Sequence, residues 1–256
     1  MDLQGRVSLV TGAAGGIGVK ICEKFASLGS FVYLCDIKDT TEIVNSINSK
    51  YQKPRAATAK CDISNKDDVK AMYRHISEKS GGVDILINNA AVYGPKEKRH
   101  FPEISVDDFI KTIQIDLSGA VYCTLLAIPH MRQKGWGRII FSAAPMSSSG
   151  IPSPYLAGKA GFIGLTKYIS KNYTQDGILS FALALRHVDT PLIRKVIASR
   201  GHSVEDGIDT MNKKSLTGKM ISPEEIAEIY AHFSLTSLPD LSGTVVLADG
   251  GITYLR

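Results

Sequence analysis

The chain has 256 residues, enough for one large α/β domain or two small ones with a sizeable core. Its hydrophobic fraction of 44% is ordinary for a globular protein, and the net charge of +5 comes from interspersed acids and bases, without the basic blocks that nucleic acid calls for. Cys22, Cys35, Cys61 and Cys123 have neither CxxC pairing nor metal-ligand spacing, so they read as buried thiols, with no disulfide frame and no metal site.

Residues 6 to 11 form a short, β-branched and aliphatic run that reads as a buried strand. A glycine-rich turn over residues 11 to 18 follows. A helix from Val19 to Leu28 then carries Ile21, Phe25 and Leu28 on one face and is stopped by Gly29. Residues 31 to 35 are a second strand with Asp36 at its end, and a polar helix runs from about Thr40 to Lys50. A third strand ends near Cys61, Asp67 to Lys79 is helical, and residues 83 to 88 are strand four. The stretch from Ser105 to Gln133 reads as one long helix stopped by Gly135; residues 138 to 141 are strand five, and a fifth helix begins near Tyr155. Strands at residues 178 to 185 and 244 to 248 complete the series.

Strands alternating with helices at this spacing predict an α/β fold: a doubly wound, mostly parallel sheet of Rossmann type covered on both faces. We read residues 1 to 256 as a single domain. The break in rhythm at about 190–222 is read as a substrate lid inserted before the last helix and strand. The start of the chain has no charged-then-apolar signal, and no apolar run looks long enough to span a bilayer. The expected setting is therefore cytoplasmic and reducing, without membrane or nucleic-acid partners.

Gly12, Gly16 and Gly18 lie between a predicted strand and a predicted helix, the context that gives such a loop meaning. Glycine lets the backbone turn tightly and approach a pyrophosphate whose charge meets the helix N-terminus. Asp36 ends the next strand, where a carboxylate accepts hydrogen bonds from ribose hydroxyls and repels a 2′-phosphate, favouring NAD over NADP; Lys38 partly offsets that repulsion. Tyr155 and Lys159 are four residues apart and share one helix face. A free phenol with a pKa near 10 is a poor base at neutral pH. A cation roughly 4 Å away is worth up to about 4 kcal/mol at an effective dielectric near 20, which would pull that pKa down towards the useful range.

With the glycine loop, Asp36, the Asn88-Asn89-Ala90-Ala91 run and the Tyr155-xxx-Lys159 pair in this order, the chain resembles the short-chain dehydrogenase/reductase family over essentially its whole length. Within it, the 3-oxoacyl-acyl-carrier-protein-reductase-like members are the ones it resembles. The resemblance implies that Gly12, Gly16, Ile17 and Gly18 bind the dinucleotide and that Asp36 and Ile37 meet its adenosine end. It further implies that Asp62 and Ile63 border the adenine, that Asn89, Ala90 and Ala91 close strand four, and that Val188 and Thr190 touch the nicotinamide amide. Tyr155 would be the general acid/base, with Lys159 holding the nicotinamide ribose and lowering the Tyr155 pKa.

Three positions depart from the family pattern. Aligning residues 137 to 144 puts Ala144 where the substrate-binding serine belongs, whereas counting back from Tyr155 lands on Ser142, on the same strand face. Ser142 is the first choice for that role, one of Ser147, Ser148 and Ser149 the second, and no hydroxyl at all the third. Asp116 replaces an asparagine that anchors a relay water, and either serves a relay or holds Lys159 in an ion pair. Residues 185 to 190 lack the Pro-Gly that the family usually places before the nicotinamide, and Arg186 brings a long cation near the reacting centre.

The implied activity is NAD(P)-dependent interconversion of a secondary alcohol and a ketone. The alternative is a dinucleotide-binding protein with little turnover, to which all three departures point. Basic residues at Arg194, Lys195, Arg200, His202, Lys213, Lys214 and Lys219, with Lys96, Lys98, Arg99 and His100, border the expected cleft and open the case for an anionic substrate. A homotetramer or dimer through the long fourth and fifth helices is the implied assembly.

Overall fold

The computed structural model describes residues 2–93, 103–145, 153–186, 188–201, 203–251 and 253. Seven strands form one sheet in the order β3-β2-β1-β4-β5-β6-β7, and every pairing is parallel. The strands are β1 (Val7–Thr11), β2 (Phe31–Asp36), β3 (Ala56–Lys60), β4 (Ile85–Asn88), β5 (Gly137–Ala143), β6 (Ile178–Leu185) and β7 (Val245–Ala248). The strand order reverses between β1 and β4, and in such sheets ligands bind in the crevice outside the carboxyl ends at that point.

Helices α1 (Gly16–Ser27), α2 (Thr41–Asn48) and α9 (Pro223–Leu235) cover one face of the sheet. Helices α3 (Lys66–Ser80), α5 (Gly119–Lys134) and α6 (Ser153–Tyr173) cover the other. The two-residue alternation of β5 shows the division: Ile139, Phe141 and Ala143 face α5 and α6, while Ile140 faces α1 and α9. The four cysteines are buried free thiols.

The predicted single helix from Ser105 is helical throughout, with one irregularity. Helix α4 (Val106–Ile113) runs into a π-turn over Gln114–Ser118 and continues as α5. Two glycines of α6 make room for it: a Cβ on Gly158 would lie 3.1 Å from Asp116 Cβ, and one on Gly161 2.7 Å from a Leu117 methyl. Contrary to the expectation that no stretch is apolar enough, residues 106 to 134 are long and apolar enough to cross a bilayer by length and composition alone. In the fold this helix supplies Ala120, Cys123, Ala127 and Met131 to the core beside the sheet. Helices α7 (Pro191–Ala198) and α8 (Val204–Lys214) occupy the insertion between β6 and α9.

Most helix starts are closed by their own sequence. Asn65, Ser105, Thr190, Ser203 and Ser222 each accept a backbone N–H in the first turn. Helix α1 differs: it starts after Gly15 with no side-chain acceptor and no acidic residue in its first turn, so its N–H groups remain available to an anion. Ser222 and Glu225 form a reciprocal capping box at α9. Ser222→Ala should cost about 1 kcal/mol, read as a lower urea midpoint with unchanged slope.

Candidate active site

Three loops converge on the glycine turn after β1. Gly12 has φ 66°, and a Cβ there would lie 2.8 Å from Ala90 Cα; a Cβ on Gly18 would lie 2.3 Å from the Gly12 carbonyl oxygen. A Cβ on Gly16 would press on Pro191 and Thr190 at 3.0 and 3.3 Å, so the β6–α7 loop meets the same turn. Asn89 fixes the β4 loop against it: its Nδ2 donates to the carbonyl oxygens of Thr11 (3.0 Å) and Gly12 (3.3 Å), and its amide donates to Thr11 Oγ1 (3.0 Å). Asp36 accepts from the Ala14 amide and the Lys38 amide, both at 3.0 Å, tying the end of β2 to the glycine turn. Ile37 stands 64% exposed beside it.

Backbone free of Cβ atoms, the uncapped α1 and a carboxylate at the end of β2 together fit a dinucleotide: pyrophosphate against α1 and ribose hydroxyls at Asp36. Asp62 is exposed and holds Ser64, whereas the Ile63 side chain is buried under α5, where a Cβ on Gly119 would reach it at 2.7 Å. Ile17 packs against the α1 face of the core, and Ala91 is exposed. Val188 bridges to Ile221, and Thr190 is spent as the α7 cap.

The reacting end is built by α6, the π-turn and the β4 loop. Tyr155 is half-buried, and Lys159, one turn later, is only 2% exposed. Asp116 is fully buried; its Oδ1 accepts the Val92 amide at 2.8 Å, and its Oδ2 has no hydrogen-bond partner among the described residues. Burial pushes the Asp116 carboxyl up to about 6, against the pull of the Lys159 cation and the Val92 amide. Burial pushes the Lys159 ammonium down to about 8, the Asp116 charge resisting.

The depression of the Tyr155 pKa expected from Lys159 is absent here. Burial holds the phenol above its ordinary value, with the Asp116 charge and the nearby Tyr93 and Tyr230 adding to the effect. Lys159 Nζ lies over the rings of Tyr155 and Phe162, 5.2 and 5.0 Å from their centroids. The cation therefore meets the π faces, and no hydrogen bond joins it to the phenol oxygen.

Ser142 differs from its expected role. It is 5% exposed; its Oγ donates to Asn89 Oδ1 (3.2 Å) and shares a 2.5 Å hydrogen bond with the Tyr230 hydroxyl. Both sides of that hydroxyl are occupied, so the geometry makes it a strut between α9 and the β4 loop. Ala144, just past β5, carries no hydroxyl. Ser147, Ser148, Ser149, Lys96, Lys98, Arg99, His100 and His202 lie outside the described residues.

Three residues of the expected basic rim are paired with acids of the chain. Arg194 forms two 2.8 Å contacts with Asp189, Lys213 pairs with Asp209 and Lys219 with Glu225, each at 2.6 Å. Tyr93 and Tyr230 are site residues the sequence reading missed. Tyr93 sits two residues beyond Ala91, where proximity to the motif is a signal, whereas nothing in the spacing of α9 marks Tyr230.

A family model described as short chain dehydrogenase matches residues 6–201. D-beta-hydroxybutyrate dehydrogenase of Cupriavidus necator is 30% identical, the match covering 97% of this chain and 98% of that protein. Cis-4-hydroxycyclohexanecarboxylate dehydrogenase of Sinomonas cyclohexanicum is also 30% identical, over 97% and 96% of the two chains. The crystal structure of levodione reductase superposes with a TM-score of 0.92 at 23% identity, over 99% of each chain, a likeness of fold.

Buried charge at the Asp116–Lys159 pair costs stability, and the sign is fixed by the two pKa values. Lys159 resists its charge when folded, so its penalty is full below about pH 8 and disappears as pH rises from there to the ordinary 10.5. Asp116 costs nothing below its ordinary 3.8, and its penalty builds up to about pH 6. Lys159→Met should therefore stabilise the fold at pH 7 by on the order of 2–3 kcal/mol. Denaturant melts should show that advantage shrinking at pH 10.

Proposed function

This chain belongs to the short-chain dehydrogenase family, and we propose that it interconverts a secondary alcohol and its ketone, using NAD(H) in preference to NADP(H). Membership makes it an oxidoreductase acting on CH–OH groups with a nicotinamide dinucleotide. The observation that carries the proposal is Tyr155 one helical turn from a buried Lys159 and near the buried Asp116, at the carboxyl ends of the strands.

The bound nicotinamide supplies or takes up the hydride. The chain's part is to position and to move a proton. Gly12, Gly16, Gly18 and Asp36 would hold the dinucleotide, with Ile37, Asp62, Asn89, Ala90, Ala91, Val188 and Thr190 at its edges. Held above its ordinary pKa, Tyr155 keeps its proton at neutral pH and acts as the acid toward a carbonyl oxygen; oxidation requires that proton to leave first. Lys159, with a pKa near 8, is mostly cationic at neutral pH and offers donors to a ribose. Asp116 raises the affinity of Lys159 for its proton.

Two relatives are named for hydroxy carboxylates, which supports a substrate carrying a carboxylate. Arg194, Lys213 and Lys219 add no support, because each is already paired with an acid of the chain. Helices α7 and α8 are proposed as the lid over the cleft. Exposed Ile110, Leu125 and Tyr168, at 56, 61 and 60%, lie on α4 to α6 and support assembly into a dimer or tetramer through that face. The buried thiols suit the cytoplasm.

Tyr155→Phe should lower kcat at least a hundredfold with NADH affinity unchanged by calorimetry; a dinucleotide binder without turnover would show neither change. Asp36→Ala should narrow the preference for NADH over NADPH by at least tenfold in kcat/KM, and an unchanged ratio would assign the selectivity to other residues.

A further inference from the structure

A carbonyl that receives hydride develops negative charge on oxygen, and sites that accelerate such steps aim more than one donor at it. Tyr155 is one donor. Ala144 has no hydroxyl to be the second, and Ser142 is held between Asn89 and Tyr230. Tyr230 is fully buried and tied to Ser142, so it is not available either.

Among the described residues, one hydroxyl near Tyr155 remains uncommitted. The Tyr93 ring lies 5.3 Å from the Tyr155 ring, centroid to centroid, with the planes inclined at 54°. Tyr93 is partly exposed, and among the described residues its hydroxyl has no hydrogen-bond partner. Its backbone is well placed: the preceding amide, Val92, is gripped by Asp116 Oδ1 at 2.8 Å, and Asn89, four residues back, is fastened to the glycine turn. Tyr93 therefore hangs from a short segment anchored to both the dinucleotide turn and the reacting end.

We infer that Tyr93 is a second catalytic residue, whose hydroxyl donates a hydrogen bond to the substrate oxygen in place of the hydroxyl that Ala144 lacks. This rests on the reading of Tyr155 as the proton donor. In the reduction direction the hydride brings two electrons and forms the new C–H bond as the C=O π bond breaks. The Tyr155 proton moves to oxygen, and the ketone is reduced while the dihydronicotinamide is oxidised. Tyr93 keeps its O–H bond throughout; its hydrogen bond shortens as the oxygen becomes negative. Tyr155 regains a proton from solvent.

The test uses the full-length protein with NADH and three ketones: acetoacetate, 4-oxocyclohexanecarboxylate and cyclohexanone. Tyr93→Phe keeps the ring and removes only the oxygen. It should lower kcat roughly ten- to a hundredfold, with NADH dissociation constant and melting temperature unchanged. Adding Ala144→Ser to Tyr93→Phe should return at least tenfold of that loss, because a hydroxyl then reaches the oxygen from the end of β5. A Tyr93→Phe kcat within twofold of the parent overturns the inference, as does a loss that Ala144→Ser leaves unrepaired, since the ring would then be a wall. Tyr155→Phe separates the two readings. If it retains turnover, or if the parent reduces none of the three ketones, the underlying assignment of the proton donor falls and this one with it.

Discussion

A carboxylate kept out of water organises the reacting end of this protein. Asp116 sits in a π-turn, with no exposure and one oxygen committed to the Val92 amide. Inserting an extra residue into a helical turn re-aims a side chain, and such turns recur at functional sites because the local cost is tolerated only where the re-aiming is useful. Here the turned side chain faces Lys159, and each group alters the proton affinity of the other. Removing two charges from water is expensive, and no direct ion pair within hydrogen-bonding distance repays it. The α6 backbone accommodates the arrangement through Gly158 and Gly161, where an added Cβ would crowd Asp116 and Leu117.

The scaffold was largely legible in the sequence. Buried strands between helices impose two periodicities that local reading detects, and Gly12, Gly16, Gly18 and Asp36 do work that depends on local backbone geometry. Their placement at one turn follows from the strand order, which short right-handed connections nearly dictate. The π-turn was not legible, because its pattern differs from a plain helix by a single hydrogen-bond shift.

The roles of individual side chains near the centre were less accessible. Spacing put Ser142 on a plausible face, but whether a hydroxyl is free depends on what arrives from far along the chain, here Tyr230, 88 residues away. The same applies to Arg194, Lys213 and Lys219 of the insertion, whose partners Asp189, Asp209 and Glu225 offset them locally. The effect of Lys159 on Tyr155 was misjudged for a related reason. Counting charges four apart on a helix omits desolvation, which acts on both groups and dominates here.

Asn89 uses both of its side-chain polar atoms within the protein: both donor contacts go to the glycine turn, and its oxygen receives Ser142, which in turn holds Tyr230. A residue in the middle of α9 is thus three hydrogen bonds from the backbone that would cradle a pyrophosphate. Engineering libraries confined to the walls of the cleft would overlook it. Shortening or enlarging position 230 would be felt as altered coenzyme handling, although that side chain touches nothing at the surface.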